Sequence, residues 1–296
     1  MKKKILLLLV LFIFASTVTG LQPLLASEAS ETGKAVNPLL AIAIVLVFRA
    51  ADLEALTGGY IALKPTGIHS TEKYFTRNDS ELRLLGMSHV AEPGFYQNIK
   101  DGLRGKAALM LMEGVSDEKK LLAQPLDYAN LAAKLGIDNQ RDKFSPKEMP
   151  DGVEIVRADL DAADFAPETV DILNSIGKVY AKDGLNMANL LMLYLKLSDS
   201  DTSRELMKDL IAKRNHCLIE HLKQNLTKHN LILVPWGALH LPDIEKWVTA
   251  EGFALKEQKS RMLLRFPNYF KHLISITGSE KKAGEPVKTL SEIFGI

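Results

Sequence analysis

The chain has 296 residues, 47% of them hydrophobic, with 37 basic residues against 36 acidic ones and a single cysteine, Cys217. The balanced charge gives no net field that would attract nucleic acid, and one cysteine excludes an intrachain disulfide. This length and composition are typical of one α/β domain with elaborations, whose stability comes from its hydrophobic core.

The first 25 residues have the pattern of an export signal. Three lysines at 2–4 precede an apolar run at 5–14, and the residues at 18–20 suit cleavage before Leu21. The apolar character continues to Leu25, so an uncleaved membrane anchor is the alternative, since a spanning helix needs about 20 apolar residues. We therefore predict an exported chain, periplasmic or extracellular, that is either released or membrane-anchored.

A variable segment at 26–77 follows, and it contains a second apolar run at 38–48. A run of about 10 to 14 residues is more typical of a buried or interfacial helix than of a membrane span. If Arg49 extends its charge to the membrane surface, the run could also dip into the membrane or cross it. Membrane association through the N-terminal hydrophobic segment is compatible with both alternatives.

From residue 78 to residue 258, short apolar runs alternate with longer helical patterns. The runs of strand length are residues 82–85, 107–112, 153–156 and 231–234. A helix is predicted from Pro93 to Leu103, and a long, mainly helical region from Pro167 to Lys228 separates the third run from the fourth. Part of that region could form a cap over the domain, although plain packing helices are an equal alternative.

Strands that alternate with helices favour parallel pairing, and ligands of such sheets bind at the carboxyl ends of the strands. The sequence therefore predicts an α/β (α+β) fold with a mainly parallel central sheet flanked by helices and a helical insertion or cap. The domain that holds this sheet is predicted at 78–258, between the N-terminal segments and a C-terminal extension at 259–296.

Two histidines each follow a glycine by three residues, just beyond a predicted strand. The motifs are Gly86-Met87-Ser88-His89 and Gly237-Ala238-Leu239-His240. Glycine lets the backbone leave a strand through conformations closed to other residues, so that the next positions can aim a side chain across the strand end. The repetition predicts one shared site that contains His89 and His240.

Another predicted strand ends on Glu113, which follows six apolar residues with no polar group to keep it near water. Burial of a carboxylate is costly unless a charge, a metal or a hydrogen-bond donor meets it. The structural alternative is an ion pair, with Arg214 as the partner. A parallel sheet would bring His89, Glu113 and His240 to one edge, which favours a functional role.

Several common catalytic motifs are absent from the sequence, among them His-Glu-x-x-His, Gly-x-Ser-x-Gly and the phosphate-binding glycine loops. His216 and His221 would lie about 140° apart on a helix, which disfavours a metal pair. Asp159, Asp161 and Asp164 are interpreted as caps and turn residues between a strand and a helix.

The sequence resembles the TraB/GumN family, with the related Tiki-type proteases and the erythromycin-esterase-like and ChaN-like proteins. The resemblance rests on both Gly-x-x-His motifs, on Glu113 after the second predicted strand, and on Arg214-Asn215 in a late helix. It covers about residues 82–255, and the order and spacing of the motifs give it its strength.

The most specific motif of this resemblance is the second. Residues 237–244 read Gly-Ala-Leu-His-Leu-Pro-Asp-Ile, similar to the family's Gly-x-x-His-Leu-Pro-Gly-Ile. Asp243 stands where the family often has glycine, and Pro235-Trp236 stands where small residues are usual. These departures indicate a divergent member with its own pocket lining.

The resemblance implies an exported metal-dependent hydrolase, such as a Tiki-like peptidase, that acts on a peptide or small-molecule substrate. In this interpretation His89, Glu113 and His240 bind a divalent transition metal, which lowers the pKa of a bound water to near neutrality. Glu113 binds the metal or acts as the base, and Arg214 stabilises an oxyanion, so that the catalytic residues are Glu113, Arg214 and His240.

Two alternatives stay open at this point. In a metal-free, esterase-like hydrolase, a histidine held by Glu113 activates water directly. In a non-catalytic exported protein, the same fold binds a peptide or a signalling partner without turnover, since a fold alone does not establish an activity.

Overall fold

The computed structural model describes residues 54–64, 66–123, 132, 136–180 and 200–265. The predicted signal or anchor at 1–25 and the apolar run at 38–48 lie outside the described residues. In the part of the chain that is described, no helix has both the length and the apolar character needed to cross a membrane.

Strands and helices alternate through most of the described chain. The strands are β1 (Ile61–Lys64), β2 (Gly67–Arg77), β3 (Ser80–Met87), β4 (Val90–Ala91), β5 (Ala108–Met112), β6 (Asp138–Asn139), β7 (Val153–Arg157), β8 (Leu231–Gly237) and β9 (Ala254–Arg265). The α-helices are α1 (Phe95–Asp101), α2 (Gln140–Lys143), α3 (Pro167–Tyr180), α4 (Ser200–Met207), α5 (Arg214–Asn225) and α6 (Leu241–Ala250). A π-helical segment, Lys208–Lys213, joins α4 to α5.

A seven-stranded mixed sheet forms the centre of the fold, in the order β1-β2-β3-β8-β5-β7, with β9 paired to β2. The neighbours β3, β8, β5 and β7 run parallel, whereas β1, β2, β3 and β9 pair antiparallel. The prediction of an α/β fold is confirmed at this level: the four strands read from the sequence are the parallel strands, with helices beside the sheet. Parallel pairing brings their carboxyl ends to one edge.

The antiparallel strands β1, β2 and β9 were not predicted as part of this sheet. Strand β2 contains Glu72 and Lys73 in a stretch without an apolar run. Both residues are buried, and they form ion pairs, Glu72 with Arg261 and Lys73 with Glu245. The hydrogen-bonded sheet therefore extends beyond both ends of the predicted domain at 78–258, although the domain limits themselves stay a prediction.

The core lies on both faces of β3, β5 and β8, which explains their nearly continuous apolar runs, whereas the edge strand β7 is only partly buried. The largest fully buried side chains include Trp236 of β8, Leu82 and Leu84 of β3, and Leu109 and Met110 of β5. Helix α1 is shorter than the predicted Pro93–Leu103, because Gly94 adopts a left-handed conformation (φ 86°) and the helix begins after it.

Candidate active site

Polar side chains gather at the carboxyl edge of the parallel strands. Glu113 directly follows β5, Asp159 lies two residues beyond β7, and His240 lies three residues beyond β8. Arg214 is the first residue of α5 and reaches this edge from the helical layer. These four residues, together with Asn215, form what we call the edge cluster.

Arg214 lies at the centre of the edge cluster. Its Nε and Nη2 donate to the two oxygens of Asp159 at 2.9 and 2.7 Å, a bidentate arrangement, and Nη2 also donates to Oε1 of Glu113 at 2.7 Å. Burial alone would lower the pKa of Arg214, but Glu113 and Asp159 raise it above its usual range. The guanidinium is therefore a permanent cation whose plane is fixed by Asp159.

Glu113 is held as a carboxylate. Its Oε2 accepts a hydrogen bond from the backbone N–H of Gly237, at 2.5 Å, while Oε1 faces Arg214. Burial would raise the pKa of Glu113, but the Arg214 cation, with smaller contributions from the two histidines and the Gly237 N–H, lowers it to about 2. The ion pair that was the structural alternative for Glu113 is present, and it is one contact among several.

His240 is buried next to Arg214, and its hydrogen bonds assign its tautomer. The Asn215 side-chain amide nitrogen faces the His240 carbonyl and Asp243, so the Asn215 oxygen faces His240 Nδ1, at 2.7 Å. Nδ1 therefore carries the proton, and Nε2 accepts from Arg214 Nη1 at 3.3 Å. Burial and the Arg214 charge lower the pKa of His240 to about 4, so the ring is neutral at pH 7.

His89 lies at the exposed side of the edge cluster. The residue is exposed to solvent, and its side chain interacts with that of Gln140. Desolvation by the surrounding protein lowers the pKa of His89, the charge of Glu113 raises it, and that of Arg214 lowers it. An exposed residue whose ring is nevertheless desolvated is expected where the side chain lines a recess. The structure thus brings Glu113, Arg214 and His240 into contact and leaves His89 within reach of their charges.

The glycines of the two Gly-x-x-His motifs have a different role from the predicted one. Gly86 and Gly237 lie inside β3 and β8, and neither has a positive φ. A Cβ on Gly86 would lie 2.8 Å from the carbonyl oxygen of Tyr60, and one on Gly237 would lie 3.3 Å from Glu113 Oε2. The prediction of an unusual backbone conformation was wrong, because glycine is needed here for close approach.

Three residues of this site were missed from the sequence or given another role. Asp159 accepts from the N–H groups of Gly114 and Leu160, as a turn residue does, but it also binds Arg214. Its position just after a predicted strand, like that of Glu113, was the available signal. Asn215 sets the tautomer of His240, and Trp236 packs its ring edge-on against His240 with a centroid distance of 5.1 Å.

The other acidic residues follow the sequence interpretation. Asp161 accepts from the N–H of Ala163 and forms a capping box with Asp164 at the short 3-10 helix that begins at Ala162. His216 and His221 lie away from the edge cluster and line a surface cavity of about 940 Å³ along α4 and α5. Within the described ranges, no three His, Cys, Asp or Glu side chains are grouped so that they could hold a metal ion.

The predicted metal ligands do not fit a metal in this arrangement. His240 Nε2 and Glu113 Oε1 are 3.7 Å apart, but the Arg214 guanidinium borders both atoms and donates to each. A metal would need the lone pair of Nε2 that already accepts from Nη1. Metal binding by His89, Glu113 and His240 stays a prediction.

The buried His240 predicts a loss of stability in mild acid. Its pKa is about 4 in the folded chain, against 6.5 for an unperturbed histidine, so the unfolded chain binds a proton that the folded chain does not. Stability is then complete above about pH 6.5 and falls as the pH approaches 4, by about 3 kcal/mol from this residue. Urea unfolding at pH 7.5 and pH 4.5 measures this difference.

His240→Gln is the variant that isolates this effect, because Glu113 contributes only at lower pH, between 4.5 and about 2. The variant should lose the part of the pH dependence between 6.5 and 4.5 that His240 contributes, while its stability at pH 7.5 decreases. The part that comes from His89 and His69, whose pKa values are also lowered, should stay. An unchanged pH dependence would show that another group is responsible.

Fold and site together define an α/β protein with a buried charge cluster at the carboxyl edge of its parallel strands. No family model, no curated protein and no solved structure matches the chain. The resemblance to the TraB/GumN family therefore rests on the motifs alone and stays a prediction. The function has to be argued from the site itself.

Proposed function

We propose that this chain is a hydrolase that cleaves the acyl C–N bond of a peptide or the acyl C–O bond of an ester at the carboxyl edge of its sheet. The observation that carries the proposal is the convergence of Glu113, Asp159, Arg214 and His240 from four separate elements. Burial of ionisable groups is costly, and groups with strongly shifted pKa values concentrate at functional sites. An ion pair made only for stability would not need a buried neutral histidine or an accessible histidine beside it.

His89 is the group best placed to act as the general base. His89 is exposed to solvent, whereas His240 is buried and both of its ring nitrogens are engaged by Asn215 and Arg214. The lowered pKa of His89 keeps the ring unprotonated near pH 7, ready to accept a proton. The negative charge of Glu113 then stabilises the imidazolium that forms.

Arg214 is the group best placed to stabilise the negative charge that develops on the carbonyl oxygen. A guanidinium has five N–H groups, and four of them are used by described partners: two by Asp159, one by Glu113 and one by His240. The remaining N–H, on Nη1, can donate to an oxyanion. Because Asp159 fixes the guanidinium beforehand, little reorganisation is needed in the transition state.

The reaction then proceeds without any group beyond the chain, the substrate and one water molecule. His89 removes a proton from the water as its oxygen attacks the carbonyl carbon, and the carbonyl oxygen becomes an oxyanion beside Arg214. When the tetrahedral intermediate collapses, the bond to the leaving group breaks. The leaving amine or alkoxide takes the proton from His89, which restores the neutral ring.

A His89→Gln variant tests the proposal. The value of kcat/KM should fall by about 10²-fold or more, because the base is lost while the edge cluster is left intact. In the wild type, kcat/KM should fall as His89 becomes protonated, at a pH lower than the ordinary histidine pKa of 6.5, because the pKa of His89 is lowered by burial. Panels of chromogenic esters and fluorogenic peptides, assayed from pH 4.5 to pH 8, provide both measurements.

His69→Gln is the matched control, because His69 lies on β2 and its ring nitrogens contact Thr66 and Ser260, away from the edge cluster. It should retain wild-type activity. If wild type and His89→Gln hydrolyse every substrate equally well, His89 is not the base and the mechanism fails. If neither hydrolyses any substrate, the hydrolase proposal fails and a binding role is left.

A further inference from the structure

We infer that the Arg214 guanidinium takes the place of a catalytic metal ion in this site, so that the hydrolase works without a metal. The inference rests on the proposed function, but it concerns a separate property, the occupant of the space between His240 and Glu113. Two observations support it: Arg214 contacts atoms of both His240 and Glu113, and Asp159 holds Arg214 in place.

Both nitrogens of His240 are committed inside the protein. Nδ1 lies 2.7 Å from the Asn215 oxygen, and Nε2 lies 3.3 Å from Arg214 Nη1. A neutral imidazole has one lone pair in the ring plane for a metal or a donor. Here that lone pair points at the guanidinium, so His240 binds an organic cation where a metal site would have a metal.

Glu113 is engaged in the same way. Its Oε1 accepts from Arg214 Nη2 at 2.7 Å, and its Oε2 accepts from the Gly237 N–H. The carboxylate therefore already has its positive partner and a backbone donor. A divalent ion at this place would add two further positive charges next to a permanent cation, which Coulomb repulsion opposes in a buried site.

The guanidinium cannot swing aside without losing its strongest contacts. Asp159 holds Nε and Nη2 in a bidentate pair, its own side chain is fully buried, and it also accepts from the N–H groups of Gly114 and Leu160. The backbone turn fixes Asp159, and Asp159 fixes Arg214. Arg214 in turn donates to His240 Nε2 and Glu113 Oε1, the two atoms that a metal would need. Each link is a direct hydrogen bond.

This arrangement assigns Arg214 the electrostatic task that a divalent ion performs in metallohydrolases, namely to stabilise negative charge on the reacting carbonyl oxygen. The guanidinium does not supply a metal-bound hydroxide, so the base has to be a side chain. The exposed His89 is in a position to be that base. The purified chain should therefore carry no stoichiometric metal, and chelators should leave its hydrolysis unchanged.

The experiment is a metal titration of the full chain. Wild type, Arg214→Met and His240→Ala are each incubated with excess ZnCl₂ or MnCl₂ and desalted, and bound metal is measured by mass spectrometry and binding by calorimetry. For the wild type we expect no stoichiometric metal and no rise in Tm with added metal, since a ligand that binds the folded state would raise it. We expect Arg214→Met to gain a binding isotherm, because the histidine and both carboxylates lose their cation.

His216→Ala is the matched control for adventitious binding, because His216 is exposed on the same helix, two residues from Arg214. Metal that is lost in His216→Ala and kept in His240→Ala lies outside the edge cluster and leaves the inference standing. One metal per chain in the wild type, lost in His240→Ala and kept in His216→Ala, would overturn it. The wild-type measurement decides the inference even if Arg214→Met fails to fold.

The two proposals fail in different ways. A chain that hydrolyses its substrate but needs a metal at His240 refutes the inference and keeps the hydrolase. A metal-free chain that shows no hydrolysis refutes the hydrolase, and one whose hydrolysis does not depend on His89 refutes the role of His89 as base. Both outcomes leave the result of the metal titration as it stands.

Discussion

Replacing Arg214 with methionine is expected to destabilise the fold by about 3–5 kcal/mol, because it leaves Glu113 and Asp159 without their common cation. Asp159 has no exposed side-chain area, and Glu113 only 16%, so water can replace little of the lost interaction. Methionine keeps much of the side-chain length, which limits the cavity contribution. Urea unfolding at pH 7.5 measures the difference.

Arg83→Met is the matched control for this prediction. Arg83 has a similar exposed fraction, 10% against 11% for Arg214, but its partner Glu81 is 29% exposed and can regain water. We expect this control to cost about 1 kcal/mol, in the range of partly exposed ion pairs. The double variant Arg214→Met, Asp159→Asn should recover part of the loss, because one uncompensated buried charge is removed.

An Arg214→Met protein as stable as Arg83→Met would contradict the prediction. It would mean that the two carboxylates find other donors or take up protons, so that the guanidinium does not organise the edge cluster. Both the oxyanion role and the metal-replacement inference would then lose their structural basis.

The parallel half of the fold could be predicted because its strands read as short apolar runs, and in β3, β5 and β8 these runs are buried on both faces. The runs at 107–112, 153–156 and 231–234 correspond closely to β5, β7 and β8. The antiparallel half carries no such pattern. In β2 the charged Glu72 and Lys73 become buried only because Arg261 and Glu245, distant in sequence, reach them. Propensity and periodicity are local, so they cannot show such pairs.

The edge cluster could be predicted in part for the same reason. Glu113 and His240 follow apolar strands directly, and Arg214 was recognised through the resemblance. Asp159 was interpreted as a turn residue, and that interpretation is correct as far as its bonds to Gly114 and Leu160 go. Its bond to Arg214 depends on how α5 packs against the sheet, which no spacing along the chain reveals.

Trp236 shows how a departure from the family pattern becomes a structural feature. The residue before Gly237 was expected to line a distinct pocket, and the structure places a fully buried indole there. Its Nε1 donates to the Leu111 carbonyl at 3.0 Å, its ring packs against His240, and the Arg214 guanidinium lies 5.5 Å from its centroid. Trp236 therefore joins β8 to β5 directly beneath the edge cluster.

Trp236→Ala is accordingly expected to cost about 3–5 kcal/mol, as large-to-small changes of buried aromatic residues do, and to lower kcat/KM because His240 and Arg214 lose a supporting face. Trp236→Phe keeps most of the volume but loses the hydrogen bond to Leu111, which should lower the free energy of unfolding by about 1–2 kcal/mol.

Trp247→Ala is the matched control, since that indole is only half-buried on α6 and its loss should cost less than Trp236→Ala in urea unfolding. If Trp236→Ala and Trp247→Ala prove equally stable and equally active, then Trp236 does not support the site, and Arg214 is held by Asp159 and Glu113 alone.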